Sequence, residues 1–98
     1  MKIILHPEAS REVAEAVYWY EEQRSGLGKT FANDTETAIY RLAEFPNLNP
    51  EIGSGIRRAI IPVFPYGIIY KIYEENLTVY AIAHLHRKPY YWKNRLKK

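Results

Sequence analysis

At Pro46 the hydrophobic period of this chain changes from helical to extended. Ahead of it, Ala9, Val13, Ala16, Val17 and Tyr20 recur at helical spacing, and Leu27, Phe31, Thr35, Ala38, Leu42 and Phe45 form a second series in steps of three and four. Behind it, Ile56 to Ile61, Tyr66 to Tyr73 and Leu77 to Ala83 are β-branched and aromatic runs. The segment between, with Asn47, Asn49, Pro50, Gly53 and Gly55, has strong turn chemistry. Two helices therefore precede a group of strands, and a chain of 98 residues offers them one core to share.

Punctuation sharpens the order of elements. Lys2 to Leu5 is a short β-branched run that ends at His6-Pro7, which suits a strand followed by proline at the first position of a helix. That helix should run to about Glu22. Gly26 then stands where a helix cap is expected, and Gly28 reads as loosening the connection to the second helix. So short a link predicts an antiparallel helical hairpin. Glu74-Glu75-Asn76 is a hairpin turn, while Pro62 and Pro65 imply a sharp or irregular one. The expected architecture is α+β: an N-terminal strand, then a helical hairpin packed on a C-terminal antiparallel β-meander, in a single domain spanning residues 1–98. Glu8, Glu12, Glu15 and Glu22 fall largely off the apolar stripe, and Glu12 and Glu15 read as part of a solvated face.

The charge is divided along the chain. Residues 1–50 carry five Lys/Arg against eight Asp/Glu, and residues 51–98 carry nine against three, so the halves differ as −3 and +6. A basic second half suits a polyanionic or acidic partner, and equally a solvated face with no partner. With no cysteine, disulfides and thiolate metal sites are excluded, which fits a reducing cytoplasm. No stretch approaches the ~20 apolar residues of a membrane-spanning helix, and the N-terminus lacks the pattern of a signal peptide. No membrane association, cofactor or metal is expected.

The chemistry-bearing residues concentrate in AHLHRKPYYW, residues 83–92. Cleavage of RNA through its own 2′-hydroxyl needs a proton acceptor, a proton donor and cations around the phosphorane. His84, His86, Arg87 and Tyr91 could supply all three roles. The same side chains could equally be structural: imidazoles bonded locally at a strand end, and Tyr90, Tyr91 and Trp92 packed in a core or an interface. Two histidines without a nearby carboxylate pair fall short of a metal site. Lys93, Arg95, Lys97 and Lys98 read as a solvated tail, and Arg57 and Arg58 should point to opposite faces of their strand.

In order and spacing, HPEA, YWYEEQRSGLGKTF, FPNLNP, GIRRAIIPVFPYGIIYKI and AIAHLHRKPYYWKNR resemble the RelE/ParE superfamily of bacterial toxins from type II toxin-antitoxin modules. The likeness lies nearest the ParE-type, or plasmid stabilization, members that end in H-x-x-R-x-P-x-Y-W, here His84, Arg87, Pro89, Tyr91 and Trp92. It implies a growth inhibitor whose partner is a cognate antitoxin, the C-terminal segment of which wraps the toxin. It further implies one of two targets. ParE-like members poison DNA gyrase by binding; RelE-like members cleave messenger RNA on the ribosome with basic sheet residues and a C-terminal tyrosine. Tyr91 and Arg87 match two of the RelE positions, whereas Gly67 and Leu85 stand where arginines are expected. Arg57, Arg58, Arg87, Lys88, Tyr91, Trp92 and Arg95 are the candidate target contacts, with gyrase as the leading target. The ribonuclease is the alternative, and a non-toxic member that only binds its antitoxin is a third reading.

Overall fold

The computed structural model describes residues 1–96. Lys97 and Lys98, the end of the expected basic tail, lie outside the described residues. Strand β1 (Lys2–Leu5) leads into helix α1 (Pro7–Gln23) and helix α2 (Leu27–Glu44); then follow β2 (Glu51–Gly53), β3 (Ile56–Ile60), β4 (Tyr66–Tyr73), β5 (Asn76–His84) and a short 3-10 turn (Lys93–Leu96). The sheet order is β1-β5-β4-β3-β2. The meander β3-β4-β5 is antiparallel as the sequence predicts, but the sheet is mixed, because β1 pairs parallel with β5. Strand β2 went unread: its three residues are too few to show a period, and they pair with β3 across an irregular register.

Local chemistry explains the hairpin. His6 caps α1, its Nδ1 accepting the Glu8 N–H at 3.1 Å, and Pro7 opens the helix. Gly26 sits at φ +88°, a conformation that favours glycine, and the Glu21 carboxylate accepts the N–H groups of Gly26 and Gly28 at 2.9 and 3.0 Å. Gly28 does not loosen the link. It lies in the first turn of α2, where a Cβ would stand 2.5 Å from the Val17 carbonyl oxygen, so its missing side chain is what lets the two helices approach.

The sheet carries apolar residues on both faces. Toward the helices lie Ile68, Tyr70, Leu77, Val79 and Ile82, with Ile61 just past β3, packed against Phe31, Ile39 and Leu42 of α2. On the outer face a smaller cluster, Ile56, Ile69, Ala81 and Ala83, is covered by Trp92 from the C-terminal segment. A bulge decides which residue goes where. Ile69 pairs with Ala81 and Tyr70 with Val79, leaving Tyr80 unmatched, so Val79 and Ile82 both face the helices while Ala81 and Ala83 face outward.

Candidate functional site

Strand β1 is shorter than its neighbour. Its pairing stops at Leu5 opposite Val79, so β5 from Tyr80 onward offers backbone groups to that side with no strand to meet them. Helix α1 supplies the answer. Ala9, Glu12 and Ala16 form its buried stripe, and the two small alanines bring the helix close enough for Glu12 to reach the sheet. Glu12 Oε1 accepts the Ile82 N–H at 2.9 Å, and Arg95 donates to the Tyr80 carbonyl at 3.0 Å. The unpaired edge is closed by side chains.

The same carboxylate gathers the C-terminal segment. Arg95 binds it in a two-toothed fork, at 2.9 Å to Oε1 and 2.8 Å to Oε2, and the Tyr91 hydroxyl donates to Oε2 at 2.6 Å. The Arg87 guanidinium lies 3.8 Å from the Tyr91 ring centroid and 3.5 Å from Oε2, with Arg95 on the ring at 5.1 Å. Burial alone would raise the Glu12 pKa, yet the hydrogen bonds from Arg95, Tyr91 and Ile82 and the charge of Arg95 outweigh it and hold the carboxyl below its ordinary value. Burial first, and then its bond to Glu12, push the Tyr91 phenol well above its ordinary value.

Beside this cluster the outer sheet face forms a concavity of ≈ 230 Å³. Gly67, Ile69 and Ala83 floor it, and Arg58, Arg87, Lys88 and Tyr90 stand at its rim. Arg58 is exposed and rests on Gly67, where a Cβ would come 3.3 Å from its Cγ and 3.4 Å from its Cδ. Gly67 thus marks the path of the Arg58 stem. Among the described residues neither Arg58 nor Lys88 has a carboxylate within 4 Å.

The expected contact residues divide sharply. Arg58, Arg87 and Lys88 are exposed and converge on the concavity. Arg57 points to the other face, donating to the Asn49 carbonyl and sitting 3.8 Å from Glu51. Trp92 is buried at 5% exposure under the outer face, and Arg95 is no solvated tail but a partner of Glu12. His84 lines the concavity and accepts the His86 N–H at 3.1 Å, while His86 itself projects past the end of β5 and does not line it. Among the described residues no three His, Asp or Glu side chains gather closely enough to hold a metal ion. Glu12 is the residue that sequence reasoning misplaced, since it is 6% exposed and not part of a solvated face. Its signal was positional: three residues after Ala9 and four before Ala16, it lies on the apolar stripe.

A profile of the ParE toxin of type II toxin-antitoxin system, parDE, matches residues 3–89, so the chain belongs to that family. Among solved structures, one described as the chromosomal ParDE TA system from P. aeruginosa superposes with a TM-score of 0.66, covering 88% of this chain and 97% of that one. At 9% identity that match speaks for the fold. No curated protein matched the sequence. Among the described residues no helix is long and apolar enough to cross a membrane.

Proposed function

We propose that this protein arrests growth in the cytoplasm by binding DNA gyrase, with the rim of Arg58, Arg87 and Lys88 and the ring of Tyr90 as its contact surface, and with no chemical step of its own. Gyrase is the target that likeness to ParE-type members implies. The observation that carries the non-enzymatic reading is the state of Tyr91. A tyrosine serving as proton donor or acceptor must exchange its proton near neutral pH. Here the hydroxyl is given to Glu12 at 2.6 Å and its pKa is driven upward, away from that range. Gly67 argues the same way, because an arginine there would displace the stem of Arg58.

The ribonuclease reading keeps one observation in its favour: Arg58, His84 and Arg87 do line one concavity. The rate of labelled methionine incorporation in the first minutes after induction without antitoxin separates the two. Continued translation with arrested growth and subsequent DNA damage is expected. Immediate collapse of translation would refute gyrase binding and move the concavity to the ribosome.

Membership in a toxin-antitoxin family implies a cognate antitoxin, and we place its C-terminal segment along the helical hairpin and an open sheet edge. Strand β1 has an unpaired outer side. Beside it runs a groove of ≈ 450 Å³ lined by Ile3, Leu5, Val13, Ile39 and Tyr40. Among the described residues the buried Thr35 hydroxyl in that groove has no hydrogen-bond partner. An extended segment could add a strand to β1 and bury this groove, folding as it binds. Limited proteolysis of the complex tests the placement; an antitoxin tail cut as fast when bound as when free would refute it.

A further inference from the structure

Of the three cations at the rim of the concavity, Arg58 belongs to β3, while Arg87 and Lys88 lie beyond the last strand, in a segment with few backbone bonds to the rest of the fold. Its backbone bonds to the rest of the fold are at its start, Leu85 N to Pro65 O at 2.8 Å and Arg87 N to His84 O at 3.0 Å; farther on, Lys93 N bonds to Tyr90 O at 3.0 Å and Arg95 N to Trp92 O at 2.9 Å. These later turns shape the segment without tying it to the sheet. Trp92 provides an apolar anchor on the outer face. The polar anchor is on the other layer of the fold, in Glu12.

We propose that Glu12 is the positioning residue of the concavity. Its Oε2 fixes the Tyr91 hydroxyl and so the plane of the ring on which Arg87 rests; its fork with Arg95 fastens the segment to the open edge of β5. Glu12 is too buried to touch a partner itself. It acts through Tyr91 and Arg95 and through its own 3.5 Å approach to Arg87, and the helix that carries it thereby sets where Arg87 presents its charge. One carboxylate thus couples α1, the outer edge of β5 and the segment that holds most of the rim.

The functional half of this inference rests on the proposal that the rim contacts the target; the structural half does not, and the two are separable. Glu12→Gln keeps a carbonyl oxygen for Ile82 N–H but cannot satisfy Tyr91 and both Arg95 nitrogens, and it leaves Arg95 without a counter-charge. In the full-length variant, amide hydrogen exchange at Arg87, Lys93 and Arg95 should accelerate by about a hundredfold to a few thousandfold, the range expected for breaking a buried pair from one side, while the α2 amides of Phe31 and Ile39 change far less. Growth arrest should fall in parallel. The double variant Glu12→Gln with Arg95→Gln replaces the orphaned charge by an amide pair, and should recover most of the protection and of the arrest.

Unchanged exchange in Glu12→Gln would overturn the proposal. So would equal acceleration in α2, because Glu12 would then be a staple of the whole fold, and so would a double variant no better protected than the single one. A freed segment with undiminished growth arrest would support the docking role and overturn the rim as target contact.

Discussion

Gly28→Ala sets two physical effects against each other, and the structure decides the sign. Intrinsic propensity alone favours the substitution, since alanine is about 1 kcal/mol better than glycine inside a helix. The added methyl, however, would lie 2.5 Å from the Val17 carbonyl oxygen and 3.1 Å from both Cβ and Oε1 of Glu21. Two of those neighbours belong to a side chain that can move; Val17 O belongs to the backbone of α1 and cannot. To restore an ordinary contact the helices must part by roughly 0.8 Å, and overpacking of this kind costs about 1–3 kcal/mol in a well-packed core. Disturbing the Glu21 carboxylate also weakens its bonds to the N–H groups of Gly26 and Gly28, at about 1 kcal/mol for a capping interaction. The net expectation is a loss of about 1–3 kcal/mol, or a thermal midpoint lower by about 4–8 °C for each kcal/mol in a chain of this size. Denaturant unfolding of the purified protein measures it directly. A midpoint equal to or above that of the parent would show that the helices do not meet closely at Gly28.

Three further outcomes follow from the geometry. Acidification should unfasten the C-terminal segment: the Glu12 carboxyl is held below its ordinary value of 4.5, so its contribution is fully present above that value and is lost as the pH falls through the lower folded value. Trp92 fluorescence followed against pH, with Trp19 replaced by Phe, should report the loosening before the helices melt by circular dichroism; simultaneous loss of both signals would contradict it. Val63 is 95% exposed at φ +75° in the turn between β3 and β4, a strained conformation for a β-branched side chain, so Val63→Asn should raise stability by about 0.5–1 kcal/mol in denaturant titration, and a loss would refute the strain. Gly67→Arg should fold with a stability within about 1 kcal/mol of the parent, because its Cβ meets the exposed stem of Arg58 at 3.3 and 3.4 Å and the Ala59 carbonyl only at an ordinary 3.5 Å, yet displace that stem and weaken growth arrest; stronger arrest would revive the ribonuclease reading.

How far the sequence discloses this fold can be judged residue by residue. The hairpin and the meander were readable because each element is long enough to repeat its period. Two features escaped for the opposite reason. Strand β2 spans three residues, and the bulge at Tyr80 is one unmatched residue, visible only when β4 is laid beside β5. The bulge matters beyond its size, because without it Ala81 would follow Val79 onto the helix face and the outer face would lose part of the floor beneath Arg58 and Trp92. Arg58 and Arg57 were separable in advance, as neighbours on a strand must face apart. Which of them shares a surface with Arg87 depended on register.

Glu12 teaches a different lesson about acidic residues on amphipathic helices. Sequence reasoning sets it off the apolar stripe, on a solvated face, because a charge beside such a stripe is ordinarily assigned to its margin, and α1 holds no partner for the carboxylate. The partners that make its burial tolerable are Ile82, Tyr91 and Arg95, about 70 to 83 residues away along the chain. A buried carboxylate is costly when unpaired, so the alanines on either side of it were the evidence of intent: they bring the helix close only if something on the sheet is waiting for the carboxylate. The same reasoning links stability to function here. Tyr91 and Arg95 are spent on Glu12 and largely covered, whereas Arg87, although 3.5 Å from the same carboxylate, stays exposed; with Arg58 and Lys88 it makes up the cations that a target can meet. A target surface recognised through them should be acidic and shallow, and its affinity should fall steeply with salt, since three exposed charges act within a Debye length of about 8 Å at physiological ionic strength. Insensitivity of gyrase binding to salt between roughly 50 and 300 mM would place the contact elsewhere on the protein.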